Sequence, residues 1–360
     1  MLKYNYSTVK DDDAGNSYLL SCKNVKDGKI IFDENDRKIN DSTLFQLRKR
    51  TKMSFGDVVL TTVGTIGESS VINIDNPIFE FQRSVAILKA NLSFILPNYL
   101  HYFFSSSLGQ SSIKSRIKGA AQPCLFLNDL KDIEIKLPFL ENQQHIVNTI
   151  GSVDDLIENL QRQTKEIIDI GELLLQKSSQ NKPIIDYASI LLGGTPSRKH
   201  PEYWNGSIKW INSGAITGTP AIQNESELIT VAGVENSATK CAYEGDSVLS
   251  IIEPSKNKVA VVLDNEVYFN QSVICLHPND IKYKGLIFFS SRLLIDRIKG
   301  YATGAAQQSL NKDMIEKENI LVPKDADIIK LNNLLLKIVK NENKVRKLKS
   351  IKEKLLEKYF

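Results

Sequence analysis

Residues 103–138 read FFSSSLGQSSIKSRIKGAAQPCLFLNDLKDIEIKLP, and the same order of landmarks returns 185 residues later in residues 288–323. Both stretches open on FFSS, pass through GAAQ and close on a proline, and 14 of their 36 positions are identical without a gap. One offset shared by three separate landmarks indicates a tandem duplication. The function of the chain must therefore require two copies of one unit.

The composition is that of an ordinary folded protein. Hydrophobic residues make up 42% and charged residues 24% of the 360, which is enough for two domains with separate cores. The formal net charge of +4 permits a nucleic-acid partner without requiring one. The longest apolar run, residues 92–104, is interrupted by Pro97 and is too short to cross a bilayer. With no signal peptide at the N-terminus, we expect a cytoplasmic protein.

Cysteine and histidine show no metal-binding spacing. The four residues of each type are dispersed along the chain, and no CxxC pair occurs. We therefore expect reduced thiols, with neither a disulfide framework nor a metal site.

Short strands and turns alternate ahead of each repeated stretch. In the first copy we predict a helix after Pro97 and a turn at Asp27-Gly28. The strands predicted there are Tyr18–Val25, the run VVLTTVG after Gly56-Asp57, a strand pair around Asn76-Pro77, and Arg83–Leu88. In the second copy Gly245-Asp246 again precedes an apolar strand, VLSII, and KSSQNKP at 177–183 is the predicted linker between the copies.

Each repeated stretch runs into a segment with heptad spacing. Apolar residues recur at intervals of three and four, which predicts a helix over about 140–178 and a second helix after Pro323. The first seam contains Ile146, Ile150, Val153, Ile157, Leu160, Thr164, Ile167, Gly171 and Leu174. The second seam contains Leu331, Leu334, Ile338, Asn341, Val345, Leu348, Lys352, Leu355 and Tyr359. The polar seam positions Asn341 and Lys352 are typical of residues that set the register of a coiled coil.

These patterns predict an α+β fold with two mixed α/β domains in tandem, each followed by a long helix. Because neither helix can bury its seam alone, we expect the two to pair as an antiparallel coiled coil with pseudo-twofold symmetry. The predicted boundaries are 1–138 for the first domain, 139–182 for its helix and linker, 183–323 for the second domain, and 324–360 for the second helix.

At this point the sequence resembles the specificity subunit of type I restriction-modification systems over essentially its whole length. The most specific stretch is GGTPSRKHPEYWNGSIKWINSGAI at Gly193–Ile216, which resembles the opening of a target-recognition domain. The GAAQ…LP segments ending in Pro138 and Pro323 resemble the junctions between recognition domains and spacer helices.

The resemblance implies a DNA-binding subunit without catalytic residues. Such a subunit reads a bipartite target in double-stranded DNA, one half-site per domain, and gathers two methyltransferase subunits and, in the full complex, two restriction subunits. No cofactor is implied for this chain, whereas S-adenosylmethionine, ATP and Mg²⁺ are implied for the partner subunits. The paired helices would act as a ruler that sets the unread gap.

The first copy departs from this pattern at its N-terminus. Aligning Val25 with Ile216 places Met1 opposite Leu192, so LKYNY stands where GGTPS stands in the second copy. The strand IDYASILL of the second copy then has no counterpart in the first. Either the first domain starts differently or the chain is truncated.

Candidate DNA contacts are polar or basic residues in four places. Each place also has a structural interpretation, such as a solvated loop or a tight turn closed by an amide hydrogen bond. The loop after Gly193-Gly194 contributes Thr195, Ser197, Arg198, Lys199 and His200. The repeated turns contribute Gln122 and Gln307, and the basic residues before those turns are Lys114, Arg116, Lys118, Arg297 and Lys299. The densest basic cluster of the first domain contains Arg48, Lys49, Arg50 and Lys52.

Two alternative functions are a stand-alone DNA methyltransferase and a coiled-coil assembly protein that does not bind DNA. The sequence contains no GxxxxGK[ST] phosphate-binding loop. Asp75-Asn76-Pro77-Ile78-Phe79 superficially resembles the Asn-Pro-Pro-aromatic loop of adenine methyltransferases, but the second proline is missing and a β-turn is the better interpretation. The assembly protein would leave the two globular repeats without a role.

Overall fold

The computed structural model describes residue 12, residues 14–301 and residues 309–360. The described chain divides into two compact units. Unit 1 contains the described residues up to Asp155 together with Ser350–Phe360, and unit 2 contains Leu156–Lys349. Each unit combines helices with small sheets, which confirms the predicted α+β fold class. The predicted domain boundaries divide the chain differently and stay a prediction.

Unit 1 is built, within its described residues, from eight short strands and four short helices. The strands are β1 (Ser17–Leu20), β2 (Val25–Lys26), β3 (Lys29–Ile30), β4 (Lys38–Ile39), β5 (Val58–Thr61), β6 (Ser69–Val71), β7 (Phe79–Phe81) and β8 (Val85–Leu88). The helices are α1 (Asp41–Thr51), α2 (Pro97–Ser105), α3 (Ser107–Lys114) and α4 (Leu127–Lys131). The long helix α5 (Leu140–Gln176) continues from unit 1 into unit 2.

Two three-stranded sheets and a hairpin organise unit 1. One sheet has the order β4-β1-β7, with β1 and β7 parallel, and the other has the antiparallel order β6-β5-β8. The turn between β2 and β3 is Asp27-Gly28, and both residues have positive φ, as two-residue hairpins favour. The predicted strand pair around Asn76-Pro77 is wrong, because β6 and β7 flank that turn but belong to different sheets.

The predicted strand over Tyr18–Val25 is shorter in the structure. β1 ends at Leu20 because a 3₁₀ turn follows, in which the Ser21 amide donates to Asn24 Oδ1 at 2.9 Å. The helix predicted after Pro97 is confirmed as α2, with the proline in its first turn.

Unit 2 contains ten strands and three short helices within its described residues. The strands are β9 (Asn181–Pro183), β10 (Ala188–Leu192), β11 (Trp204–Ile211), β12 (Glu227–Ile229), β13 (Lys240–Tyr243), β14 (Ser247–Ser250), β15 (Val259–Val261), β16 (Glu266–Phe269), β17 (Val273–Pro278) and β18 (Asn319–Leu321). The helices are α6 (Val231–Glu235), α7 (Lys284–Ile298) and α8 (Lys312–Glu316), and α9 (Asp325–Tyr359) continues into unit 1.

The internal repeat extends to strand pairing. Unit 2 has one sheet of order β12-β11-β16-β13 and one of order β10-β17-β14-β15. Its parallel pair β11–β16 places Ile211 opposite Phe269, as the parallel pair β1–β7 of unit 1 places Leu20 opposite Phe81. The pair β14–β17 likewise repeats β5–β8. The duplication inferred from the sequence is therefore also a duplication of backbone topology.

The FFSS landmarks form part of the core of each unit. Phe103 and Phe104 are each 2% exposed, and Phe288 and Phe289 are fully buried. Within each pair the rings meet edge to face, with centroids 5.3 Å apart in unit 1 and 5.2 Å apart in unit 2. This landmark is therefore conserved between the copies as a packing element.

The predicted linker at 177–183 is only partly irregular. Its last three residues form β9, which pairs antiparallel with β18 and forms a two-stranded sheet at the end of unit 2. The sheet is reinforced by Ser178, whose hydroxyl donates to the carbonyl of Val322 at 2.7 Å. The sequence did not predict this strand, because two of its three residues, Asn181 and Pro183, are uncommon in strands.

The helix predicted over about 140–178 is confirmed as α5, and the helix predicted after Pro323 is confirmed as α9. Every residue of the two predicted seams is buried or half-buried. In unit 2, Ile168 and Leu175 of α5 share a core cluster with Leu331, Leu335 and Ile338 of α9.

The polar seam residues Asn341 and Lys352 of α9 each have a polar partner on α5 within the same unit. In unit 2, the Asn341 amide donates to the Thr164 hydroxyl at 3.4 Å, and both side chains are buried. In unit 1, Lys352 donates to Asp154 at 2.6 Å, and Tyr102 donates to the same carboxylate at 3.0 Å. These contacts are local to each unit, and a continuous antiparallel coiled coil with a pseudo-twofold axis stays a prediction.

Gly171 allows α5 to approach the core of unit 2. A Cβ at this position would lie 2.3 Å from Cε1 of Phe289, too close for any real contact. In contrast, a Cβ at Gly151 of the same helix would meet only the Tyr102 hydroxyl, at an ordinary 3.6 Å. Gly171 is therefore required by packing, and Gly151 is not.

Within the described ranges, no helix combines the length and apolar character needed to cross a membrane.

Candidate nucleic-acid interface

The loop Thr195–His200 is held by two glycines that pack closely against neighbouring backbone atoms. A Cβ at Gly193 would lie 2.1 Å from the Phe269 carbonyl oxygen, and one at Gly194 would lie 2.6 Å from the carbonyl carbon of Ala238. Only glycine allows this approach. The five candidate residues of the loop are all exposed, so the loop presents polar side chains to solvent from a rigid base.

Arg198 is the most constrained side chain of this loop. Its guanidinium stacks over the Trp204 ring at 3.5 Å from the centroid and forms a bidentate pair with Glu227, including Nη1 to Oε2 at 2.7 Å. The hydrogen bond from Arg198 holds the pKa of the Glu227 carboxyl below its ordinary value. Arg198 therefore orders the loop in the free protein, and a planar guanidinium held in this way suits phosphate or guanine recognition.

The remaining loop residues differ in their hydrogen bonds and ring contacts. The Thr195 hydroxyl donates to the amide oxygen of Gln271, and the His200 ring contacts Glu202 at 2.9 Å and stacks on Tyr203. The Ser197 hydroxyl accepts a hydrogen bond from the Lys199 amide at 3.3 Å. The ammonium group of Lys199 has no ion pair within the described residues, which leaves it available to a phosphate.

The first GAAQ turn is the tip of a short hairpin. Lys118 and Cys124 exchange backbone hydrogen bonds of 3.0 and 2.8 Å, and residues 119–122 between them are exposed. Gly119 has a φ of 101°, and a Cβ there would lie 2.5 Å from the Gln122 carbonyl oxygen. The turn is therefore tight, but backbone atoms close it and the Gln122 side chain projects without a hydrogen-bond partner in the described structure.

The second GAAQ turn, including Gln307, lies outside the described residues. The basic residues ahead of it are engaged with neighbouring carboxylates. Arg297 contacts Glu318 at 2.8 Å and the Asn319 carbonyl at 2.7 Å, and Lys299 contacts Asp296 at 2.7 Å. All of these ion pairs are at the surface, where replacing the carboxylate partner by a phosphate costs little free energy.

The basic residues ahead of the first turn have different partners. Arg116 donates to the carbonyls of Ser112 and Asp132, both at 3.0 Å, and thereby ties the end of α3 to the segment before α5. Lys118 forms an exposed pair with Asp129 at 2.5 Å. Lys114 is exposed and has no ion pair within the described part of the chain.

Arg48 has a structural role that the sequence did not indicate. Its Nε donates at 3.0 Å to Glu80, whose side chain is fully buried, and its Nη2 donates to the Pro77 and Phe79 carbonyls. The Thr51 hydroxyl donates to the same carboxylate at 2.8 Å. A guanidinium committed to a buried carboxylate is poorly placed to contact DNA, and a DNA contact of Arg48 stays a prediction.

The other basic residues of α1 lie at the surface. Lys49 lies over the Phe45 ring with Nζ 4.6 Å from the centroid, and Arg50 is exposed. Lys52 ends the helix in the left-handed conformation with a φ of 50°. Positive charge at a helix C-terminus also stabilises the helix, so these residues have a structural use without DNA.

The sixteen predicted contacts thus fall into separate neighbourhoods. The structure keeps the five loop residues of unit 2 in one loop, and it places Lys118 and Gln122 on one hairpin of unit 1, shortly after Lys114 and Arg116 in the chain. Their roles in DNA binding stay predictions.

Two ionic networks of unit 2 were missed by the sequence reasoning. Asp264 accepts from Lys209 at 2.8 Å and from Arg346 of α9 at 3.1 Å. Burial alone would raise the pKa of Asp264, but the hydrogen bond from Lys209 and the charge of Arg346 outweigh it and lower the pKa. Glu172 of α5 similarly accepts from Arg292 at 2.8 Å. Each network spans residues far apart in sequence, so no local pattern could indicate it.

Among the described residues, no three His, Cys, Asp or Glu side chains are grouped in a way that could hold a metal ion.

Comparison with known families gives two matches along the chain. Residues 13–168 and 177–355 each match the family described as the type I restriction modification DNA specificity domain. The two matched segments correspond to the two copies of the sequence repeat, each with the helix that follows it.

Individual relatives agree with this match. The EcoBI type I restriction enzyme specificity subunit of Escherichia coli is 30% identical over 140 residues, which cover 39% of this chain and 29% of that protein. The MjaIX type I restriction enzyme specificity subunit of Methanocaldococcus jannaschii is 22% identical over 84% of this chain and 76% of that protein.

A solved structure has the same fold. The crystal structure of a type I restriction-modification S subunit from M. genitalium aligns with a TM-score of 0.50 at 12% identity, over 99% of this chain and 91% of that one. At this identity the likeness concerns the fold alone.

Proposed function

Because the chain belongs to the family of type I restriction-modification DNA specificity domains, we propose that it is the DNA-recognition subunit of such a system and reads a bipartite target. The observation that carries the proposal is the double match, at residues 13–168 and 177–355, to a family of DNA specificity domains. The matching strand pairs of units 1 and 2 support an equivalent task for both copies. Each unit would read one half-site.

The side chains best suited to contact DNA are exposed and without an ion pair among the described residues. They lie in both units: Lys52, Lys114, Gln122 and Lys199. Lysines would contact phosphates and supply affinity, whereas Gln122 is of the type that pairs with adenine in the major groove. Arg198, already ordered by Trp204 and Glu227, would exchange part of its ion pair for a phosphate or a guanine.

The long helices α5 and α9 would set the length of the unread gap. They contain 37 and 35 residues, which at 1.5 Å per residue is about 55 Å each. The contacts of Asn341 with Thr164 and of Lys352 with Asp154 support antiparallel pairing in one register. A coiled coil of fixed length would act as the ruler.

The chain would act as a scaffold without catalytic residues of its own. Two equivalent junctions, at Pro138 and Pro323, would receive two methyltransferase subunits, and restriction subunits would join the full complex. S-adenosylmethionine, ATP and Mg²⁺ would be bound by those partners. The complex would work in the cytoplasm, where its DNA substrate lies.

The decisive experiment is a map of methylated adenines in a host free of other methyltransferases. The chain is expressed with and without its methyltransferase partner, and the partner is also expressed alone. We expect one bipartite motif, two short half-sites around a fixed gap, only when both are present. Methylation by the chain alone would instead favour a stand-alone methyltransferase, and a motif unchanged by its removal would exclude a recognition role.

The ruler is tested by inserting one heptad into both helices, beside Thr164 in α5 and beside Asn341 in α9. Seven residues add about 10.5 Å, so the gap should lengthen by about three base pairs while both half-sites keep their sequence. Insertion into one helix alone should abolish methylation because the seam loses its register. Altered half-sites would contradict the assignment of reading to the globular units.

Phosphate contact is tested with Lys199→Ala. We expect weaker binding to all sequences and a salt dependence reduced by about one unit of slope, with no change of motif. Lys337→Ala, an exposed lysine of α9, is the matched control and should leave the slope unchanged. Equal effects of the two substitutions would exclude a specific role for Lys199.

A further inference from the structure

The tight turn that joins β16 to β17 in unit 2 has an exposed glutamine, Gln271, at its tip. The turn is closed by a hydrogen bond of 3.2 Å from the Val273 amide to the Asn270 carbonyl. The Asn270 side chain accepts from the Ser272 amide at 3.0 Å, and the Asn270 amide donates to the Ile211 carbonyl at 3.0 Å. Gln271 therefore projects from a backbone that is held on both sides of it.

The turn and the loop Thr195–His200 are joined through backbone atoms. The Gly194 amide donates to the Phe269 carbonyl at 3.0 Å, and a Cβ at Gly193 would lie 2.5 Å from the Asn270 carbonyl oxygen. This close approach leaves no room for a side chain larger than that of glycine. The tip of the turn and the start of the loop therefore belong to one rigid surface.

The side-chain amide of Gln271 is oriented by this loop and keeps most of its hydrogen-bonding capacity. The Thr195 hydroxyl donates to the amide oxygen at 2.5 Å, and that oxygen keeps a second lone pair. The amide nitrogen has no hydrogen-bond partner among the described residues, so both of its donors remain. One acceptor beside one donor is the pattern that pairs with N6 and N7 of adenine in the major groove.

The first copy of the repeat has the same turn with a different residue at its tip. Residues 81–85 read FQRSV where residues 269–273 read FNQSV, so Arg83 stands at the place of Gln271. The backbone hydrogen bonds that begin and close the turn recur in the first copy at 2.8 and 3.1 Å. Arginine and glutamine are the residue types that pair bidentately with guanine and with adenine. One backbone position therefore presents side chains of different base preference in the two copies.

We infer that Gln271 is a specificity-determining residue of unit 2, and that its amide, oriented by Thr195, reads one adenine of the half-site. The inference rests on the proposed function, because it requires unit 2 to read a half-site. Lys199, in the adjoining loop, would contact a phosphate beside that base and contribute affinity without specificity. Because the turn and the Thr195 hydroxyl restrict the glutamine before DNA binds, little conformational entropy is lost on contact.

The test compares binding of the wild-type and Gln271→Ala chains, each in complex with the methyltransferase partner. The duplexes carry the motif obtained from the methylation map and each of its single base-pair substitutions. In the variant, discrimination at one A·T pair of one half-site should fall by about tenfold, while the other positions are read as before. Gln161→Ala, at an exposed glutamine of α5, is the matched control and should leave discrimination unchanged at every position.

Two outcomes separate failure of this inference from failure of the proposed function. A wild-type chain that specifies no bipartite motif would overturn the proposed function and this inference with it. A normal wild-type motif that Gln271→Ala reads with the same discrimination at every position, even at lower overall affinity, would overturn the inference alone. Gln271 would then contact a phosphate or have a structural role.

Two further substitutions separate base reading from folding. Gln271→Arg, which introduces the residue type of the first copy, should change the preference at the same base pair from adenine to guanine. A change of preferred base cannot result from partial unfolding, which weakens binding to all duplexes alike. Thr195→Val removes the orienting hydroxyl and should reduce discrimination at that base pair only. Retention of the adenine preference by Gln271→Arg would contradict the inference.

Discussion

Units 1 and 2 share their strand pairing but bury different polar groups. Unit 1 encloses His101, whose Nδ1 lies 2.8 Å from the Ser69 hydroxyl, and unit 2 has Leu286 at the same place in the repeat. Unit 2 encloses Glu342 of the second copy of the repeat, which accepts from the Gln223 amide at 2.7 Å. The residue at the same place in the first copy is the apolar Ile157, which also belongs to unit 2. The duplication therefore preserved the backbone arrangement, whereas the buried polar groups of the two copies diverged.

A second difference concerns equivalent aspartates after the shared Gly-Asp turn. In unit 1, Asp57 accepts from Lys89 at 2.7 Å. In unit 2, Asp246 contacts Nδ1 of His277 at 2.8 Å. The two copies therefore keep the aspartate after the Gly-Asp turn and differ in its partner.

The largest effect is expected from Arg48→Ala in unit 1. The substitution leaves the Glu80 carboxylate buried, with the Thr51 hydroxyl and the Phe81 amide as its remaining donors among the described residues, and should destabilise unit 1 by about 3–5 kcal/mol. Amide exchange in β5 would report the loss. Lys49→Ala, the adjacent exposed position, is the control and should have little effect. A small loss for Arg48→Ala would mean that the buried pair is not needed for folding.

Acid should destabilise unit 1 through His101. Burial first, and then the charge of Lys352, lower the pKa of His101 to about 4 from an ordinary 6.5. As the pH falls from about 6.5 to 4, the unfolded chain takes up a proton that the folded unit does not, which costs about 3 kcal/mol at 1.4 kcal/mol per unit.

This prediction is checked by exchange in β5 at pH 7 and pH 5, with tryptophan fluorescence as the reference for unit 2, which contains both tryptophans, Trp204 and Trp210. His101→Leu, the residue of the other copy, should remove the acid loss. An equal acid response in the variant would assign the effect to another group.

Substituting two glycines of α5 by alanine should have opposite effects. Gly171→Ala places a Cβ 2.3 Å from Phe289 and should destabilise unit 2 by about 1–3 kcal/mol. Gly151→Ala meets only ordinary contacts and should stabilise unit 1 by up to about 1 kcal/mol, because alanine favours the helix. Urea denaturation of both variants measures the two changes in the free energy of unfolding, which should have opposite signs. Stabilisation by both would show that Phe289 can move aside.

Glu342 should make unit 2 respond to pH in the opposite direction from His101. Burial raises the pKa of Glu342 above its ordinary 4.5, despite the charge of Lys349 and the hydrogen bond from Gln223. As the pH rises above about 4.5, the unfolded carboxyl ionises more readily than the folded one, and stability falls. Glu342→Gln should therefore stabilise unit 2 at pH 7 and lose this advantage below pH 4.5, as tryptophan fluorescence would show.

The smallest change in stability is expected from Arg198→Ala. Its pair with Glu227 is exposed, so the substitution should cost less than about 1 kcal/mol, in contrast to Arg48. DNA affinity should fall more clearly than stability, because the loop loses both a charge and its stacking on Trp204. Equal losses of stability for Arg198→Ala and Arg48→Ala would contradict the distinction between a surface ion pair and a structural one.

The repeat, both long helices and the strands after Gly56-Asp57 and Gly245-Asp246 could be predicted because each has a local signal. Heptad spacing predicts the apolar seam of a helix, and a β-branched run after a turn predicts a buried strand. The short β9 could not be predicted, because it exists only through its pairing with β18. Its central residue Lys182 lies opposite Ile320, 138 residues later in the chain.

Side-chain roles were harder to predict than elements. Arg48 and Lys49 look alike in sequence, yet one binds a buried carboxylate and the other lies over a surface ring. Gly171 occupies one position of the predicted seam, and the structure gives it a defined packing role against Phe289. Such distinctions depend on partners far along the chain, which a local pattern does not contain.

The attachments of the helices to unit 2 have a mechanical consequence. Glu172 and Gly171 join α5 to α7, and Arg346 joins α9 to Asp264, so the unit is fastened at several points along two helices. Attachment at several points resists rotation, so unit 2 should not rotate about the segments of α5 and α9 that it contacts. When a half-site lies out of phase, the duplex would have to bend or twist to meet the protein, at about 1–6 kcal/mol for a bend of 40–90°.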